Sequence, residues 1–195
     1  MMRRILLVIY LSVLILPLAG CGSRAITESF LREEVDFAFV EKIAVLPFEN
    51  NSSNQYAAER TRNITITQVL ASGLYDTIEK GLVDNVLYEE AIDQGAALDP
   101  LALKRIGQRL RVQAFIVGTI DLSGDGKVGS SSYPEMALTL RLIEANSGII
   151  LWQASGNYSG QSLANRMLGI KPEDDYRITV KLVRRLLNTA PVGGI

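Results

Sequence analysis

Histidine is absent from this chain and cysteine occurs once. Without an imidazole there is no Ser-His-Asp triad and no histidine-ligated zinc site, while carboxylate chemistry stays open. A lone thiol cannot close an internal disulfide, so packing alone must hold the fold. An excess of one charge is also lacking, since 20 basic residues face 21 acidic ones. That balance provides no electrostatic footprint for nucleic acid and no polybasic grip on anionic lipid. The N-terminal apolar run, Ile5 to Gly20, is 16 residues long and interrupted by Pro17. A spanning helix needs roughly 20 residues. Glycine is missing from Glu49-Asn50-Asn51-Ser52-Ser53-Asn54, where a nucleotide site would need it for close approach of backbone amides, so no nucleotide cofactor is expected.

What is present begins with Arg3 and Arg4, the apolar run, and the small residues Ala19 and Gly20 just before Cys21. That is the layout of an export signal. The tetrapeptide Leu18-Ala19-Gly20-Cys21 resembles a bacterial lipobox. The resemblance implies cleavage before Cys21 and a diacylglyceryl lipid on its sulfur, with no other cofactor. An uncleaved N-terminal membrane helix with an incidental cysteine is the contrasting reading. Gly22 follows the cysteine where an aspartate would imply inner-membrane retention, so the resemblance implies the periplasmic face of the outer membrane. Removal of residues 1–20 as signal peptide leaves 175 residues, 18 basic and 21 acidic among them, enough for one domain with a real core.

Residues 21–41 read as a lipidated N-terminus and short tether, in which the alternating Val35, Phe37 and Phe39 suggest an extended segment laid against the domain. Residues 42–189 read as an α/β domain, with a frayed tail over 190–195. Lys42–Phe48 is a strand buried on both faces. Gln55–Ser72 mixes helix formers with the β-branched Ile64-Thr65-Ile66-Thr67, and its length decides for helix, capped by Gly73. Leu74–Glu79 follows as a strand parallel to the first. A helix is expected from about Gly81 to Gln94. The next has Asp99 as N-cap and Pro100 at its first position, with Leu103, Ile106 and Leu110 buried. Gln113–Asp121, Glu135–Ile143 and Ile149–Tyr158 are strands, the last two a hairpin, with Trp152 a core anchor. Pro172 is expected to start a final helix with Tyr176, Val180, Val183 and Leu187 inward. The result is a single mixed sheet of about five strands in the order β-α-β-α-α-β-β-β-α, with packed helices.

Several stretches imitate sites. Gly124–Gly129 matches G-x-G-x-x-G but leads to another strand rather than a helix, and reads as a flexible loop. Asp121, Ser123, Asp125 and Gly126 have the spacing of a calcium loop, but its twelfth position is Ser132 instead of glutamate. No metal site is expected. Lys104, Arg105, Arg109 and Arg111 form the most basic run, which reads as a solvated helix face with an anionic partner as the alternative. The connections Leu122–Pro134 and Ser159–Lys171 are the places to look for partner contacts. Tyr133, Met167, Leu168 and Ile170 are the candidate interface, the last three being apolar residues in a polar connection. Packing under the last helix is the competing role for those three.

The phrases KIAVLPFEN, GLYDTIEK, AFIVGTID and LRLIEANSGIILWQASG, in this element order, resemble a superfamily of bacterial envelope lipoproteins. It includes the curli secretion lipoprotein CsgG, the synthase activator LpoB, the polysaccharide lipoprotein PelC and the N-terminal domain of TolB. The resemblance implies a non-enzymatic domain working by contact with other envelope proteins, often as a homo-oligomeric ring. A CsgG-like pore would need membrane-spanning strands of about 9–11 residues, and the two connections are too polar for them. A short tether argues against an activator that must cross the cell wall. A membrane-proximal scaffold of PelC type is therefore the leading expectation, the activator the second, and a carboxylate-based glycosidase the contrasting class.

Overall fold

Alternation within the first buried strand sends neighbouring side chains into two different cores. In a computed structural model, which describes residues 26–93, 98–129, 131–161 and 170–193, Ile43 and Val45 join one apolar cluster while Ala44 and Leu46 join another. Such a strand must have helices on both sides. The strands are β1 (Thr27–Leu31), β2 (Lys42–Val45), β3 (Glu49–Asn50), β4 (Asp76–Thr77), β5 (Ala114–Val128), β6 (Ser131–Glu144) and β7 (Ile150–Ser159). The helices are α1 (Ala57–Ser72), α2 (Lys80–Glu89), α3 (Pro100–Leu110) and α4 (Asp175–Leu187). The sheet order is β1-β7-β6-β5-β2-β4, with β3 also on β5. The β2, β3, β4 and β5 pairings are parallel, and β5, β6, β7 and β1 run antiparallel.

Helices α1 and α4 cover one face, burying Ile64, Val69, Ile178, Leu182 and Leu186 on Met136, Leu138, Leu140, Leu142 and Trp152. Helices α2 and α3 cover only the parallel part of the other face, through Val83, Leu87, Leu103 and Ile106 on Leu46 and Phe115. Local chemistry places these helices. Gly73 closes α1 in the left-handed conformation at φ +63°, and Asp99 accepts from the Ala102 amide to start α3.

The sheet has seven strands among the described residues, against the five expected, because β1 and β3 carry no pattern. β1 is an edge strand with no buried residue, and β3 is two residues long. Leu74–Glu79 contributes only Asp76–Thr77 as strand. Phe37–Phe39 is a 3₁₀ turn rather than extended chain, since the Asp36 side chain accepts from the Ala38 amide and closes it. Pro172 does not start α4, because Asp174 caps it through the Arg177 amide. Its buried stripe is Ile178, Leu182 and Leu186 with Val183 and Leu187, whereas Tyr176 faces solvent, two residues and about 200° from Ile178. The tail expected to fray is docked as far as Gly193: the Tyr75 hydroxyl donates to the Pro191 carbonyl, and Gly193 N–H donates to the Leu74 carbonyl at 3.4 Å.

One buried cation joins the layers. β4 ends after Thr77, so the Val45 carbonyl, which points to that side of β2, has no strand partner. Arg62 of α1, 2 % exposed, donates to it from Nε at 3.0 Å and from Nη2 at 2.9 Å. Its Nη1 reaches Asp84 of α2 at 2.6 Å, and Lys80 ties Asp84 to Glu59. Arg62→Ala would strand a buried carbonyl and open a cavity. Removing one partner of a buried pair costs about 3–5 kcal/mol, and the lower end applies because Asp84 is partly hydrated. A lower urea midpoint with an unchanged slope is the expected result, read by circular dichroism.

Candidate interaction surface

The two connections singled out in the sequence meet at the end of the sheet where β5 finishes. Leu122–Pro134 is not a loop. β5 and β6 stay paired from Ala114↔Glu144 out to Val128↔Ser131, past the end of β7 at Ser159↔Glu135. Four residues per strand overhang, roughly 13 Å at 3.3 Å per residue. The G-x-G-x-x-G stretch is thus mostly strand, and glycine serves pairing there. The Tyr133 ring crosses to Gly126, where an added Cβ would lie 2.6 Å from Tyr133 Cε2. Tyr133 is therefore half-buried over its own hairpin. Asp121, Ser123 and Asp125 follow one another along β5 and cannot wrap an ion as a calcium loop does.

The second connection joins this pole through backbone bonds. Gly160 N–H donates to the Pro134 carbonyl at 2.8 Å, and Glu173 N–H to the Gly160 carbonyl at 3.0 Å. Ile170 stands in solvent, 53 % exposed. Met167 and Leu168 lie outside the described residues, as do Cys21 and the lipobox residues Leu18, Ala19 and Gly20. The first turns of α1 and α4 complete the pole, tied by an Arg60–Asp175 ion pair of 2.7 Å, with Tyr56 and Tyr176 exposed between them. Tyr56 was not marked by the sequence reading, and Tyr176 was expected to face inward. Their exposure follows from helix phase, which the mixed composition of α1 and the displaced start of α4 concealed.

The basic run resolves differently. Arg109 pairs with Glu89 and Glu90, and Arg105 pairs with Glu90 at 3.2 Å, so most of the charge of α3 is answered by the end of α2. Arg109 first and Arg105 second hold the Glu90 carboxyl below its ordinary range. The amides of Gly81 and Leu82 do the same for Glu79 at the start of α2.

A cleft of about 260 Å³ lies beside α2 and α3, lined by Leu46, Val117, Ile143 and Arg141 with the acids Glu49 and Asp93. Within it Arg141 donates to Thr119 Oγ1 at 2.7 Å, and that hydroxyl donates to Glu49 at 3.2 Å. No group of three or more metal-ligating side chains is found among the described residues, and none of their helices is long and apolar enough to cross a membrane.

No protein-family model and no curated protein matches the sequence. Solved structures do match the fold. A PelC dodecamer from Paraburkholderia phytofirmans is similar over 84 % of this chain and 95 % of its own, at 15 % identity and a TM-score of 0.58. The lipoprotein GNA1162 from Neisseria meningitidis is similar over 76 % of this chain and 96 % of its own, at 17 % identity and the same TM-score. The fold is thus shared with PelC and with the lipoprotein GNA1162, and these likenesses do not extend to the CsgG or TolB naming.

The depressed carboxyls set an acid limit. A folded-state pKa below the unfolded one contributes stability that is complete above the ordinary glutamate value of about 4.3 and is lost as pH falls through the folded value. Glu90→Gln should flatten the fall in thermal midpoint between pH 5 and the acid transition, an effect checked by parallel melts.

Proposed function

We propose that this chain is a lipid-anchored, non-enzymatic component of an envelope export or biogenesis assembly, held by Cys21 at the periplasmic face of the outer membrane. One observation carries the reading. The segment taken as tether is largely spent: Thr27–Leu31 is already in the sheet as β1. Only Gly22–Ala25 separate Cys21 from Ile26, and five Cα–Cα steps reach at most roughly 18 Å. A body on so short a leash works beside its bilayer, which supports a membrane-proximal scaffold over an activator that reaches across the wall.

Contact with other proteins is the work such a body can do. The joined pole of hairpin, Ile170 and exposed tyrosines offers a surface, and the PelC fold relative is a dodecamer, which supports self-association here too. The cleft holding Glu49 and Asp93 is where a carboxylate enzyme would have to operate, but Glu49 is engaged as the terminal acceptor of the chain from Arg141.

Labelled fatty acid should be incorporated into the wild-type protein and not into Cys21→Ser, which should leave the membrane fraction. An unlabelled wild type, or a serine variant still held by membrane, would remove the anchor from the reading. Light scattering should give a mass above the monomer when the protein is concentrated or membrane-bound.

A further inference from the structure

The free edge of the sheet is self-complementary. β1 pairs only with β7, and no other strand lies on its outer side among the described residues. Ile26 accepts from the Asn157 amide, and Arg32 N–H donates to the Leu151 carbonyl. Backbone groups alternate along an antiparallel strand, so those of Glu28 and Phe30 also point to β7. The N–H and C=O of Thr27, Ser29 and Leu31 then point outward. β1 has no proline, lysine, glycine or bulge to block pairing, and its one charged residue is Glu28. Phe30 shares its face with its partner Gln153 and Leu31 with Trp152, and these two apolar side chains are 49 % and 46 % exposed on opposite faces of the edge.

We infer that β1 pairs antiparallel with β1 of a second copy of this chain, in a register centred on Phe30. An isologous contact places each residue opposite its two-fold mate. With Phe30 on Phe30, Ser29 meets Leu31 and Glu28 meets Arg32, twice each. The outward amides and carbonyls of Ser29 and Leu31 exchange hydrogen bonds. The Phe30 pair occupies a non-hydrogen-bonded site, where the Cα atoms approach to about 4.5 Å and side chains meet most closely. The sequence Glu28-Ser29-Phe30-Leu31-Arg32 thus has an aromatic centre and opposite charges at its ends. A register centred on Glu28 sets two carboxylates face to face and is disfavoured. Arg32 is held on the Phe30 face of the edge, its Nε donating to the Ile150 carbonyl and its guanidinium 5.9 Å from the Phe30 ring. The inference rests on the self-association proposed above and places it at the sheet edge, apart from the pole of hairpin and tyrosines.

Cells expressing the full chain with Phe30→Cys supply the test. With lipid on Cys21, residue 30 is the only free thiol, and mild oxidation of the envelope should give a disulfide-linked dimer on a non-reducing gel. Val192→Cys, exposed and distant, should give none. Adding Glu28→Arg or Arg32→Glu to Phe30→Cys should each strip most of the dimer, and the two together should restore it. No dimer at residue 30, a dimer indifferent to single charge reversal, or a cross-link to a protein of another size would overturn the pairing. The chain without Phe30→Cys serves as the separate check on the anchor: a dimer there means that Cys21 carries no lipid. An assembly seen by light scattering without a residue 30 cross-link overturns this register and leaves self-association standing.

Discussion

A single guanidinium lets this sheet end where it does. β2 is central for its first two residues and an edge thereafter, because β4 stops after Thr77. An edge carbonyl inside a packed interior costs about 1–3 kcal/mol when unpaired. Arg62 removes that cost with two hydrogen bonds to Val45 and uses its third nitrogen on Asp84, so α1 and α2, on opposite faces, are held across the edge. Arginine suits the place because its fork of donors is planar and always charged, whereas lysine would leave one acceptor unmet. The surrounding chain Glu59–Lys80–Asp84 keeps the charges balanced where they reach water.

That arrangement explains why the two halves of the sheet differ. Helices α2 and α3 are fixed over β2 and the start of β5, and no described helix covers the same face of β6, β7 and β1. The rungs of β6 and β7 on that face are accordingly polar: Thr139 and Ser155 share a hydrogen bond of 2.9 Å, and Gln153 stands opposite Arg141. An antiparallel sheet with one wet face can lengthen at its hairpins without exposing apolar surface. β5 and β6 do so, and the tip carries Asp125, Lys127 and Ser132 in water.

The sequence made some of this legible and hid the rest for physical reasons. Strands β2, β5, β6 and β7 and the caps of α1 and α3 were readable because burial imposes a period and capping imposes residue types. α1 was ambiguous because it buries Thr61, Arg62 and Thr65 with its apolar residues, which erases the helical stripe. Thr65 is satisfied inside the helix by donating to the Thr61 carbonyl at 2.8 Å, a bond no pattern of apolar residues can announce. β1 was invisible because an edge strand has no buried side. The hairpin overhang was misread as loop because glycine and serine mark turns in isolation, whereas here Gly126 makes room for a cross-strand ring. Of the candidate interface residues, Ile170 stands in solvent and Tyr133 lies half-buried over its own hairpin, a placement that cross-strand pairing decides and composition does not.

The shortness of the N-terminal connection bears on how much interface a body of this kind needs. A five-residue strand pairing buries far less than the roughly 800 Å² per partner of a stable complex in solution. On the anchoring proposed at Cys21, copies would be in a different regime, since a leash of at most roughly 18 Å would keep every edge near the bilayer and remove one dimension of search. Association then draws on effective concentration more than on area, and a small contact suffices in the membrane while failing in dilute solution. On that proposal an exposed edge strand close to the anchor, a hazard in a freely diffusing protein, would be a usable joint in a tethered one.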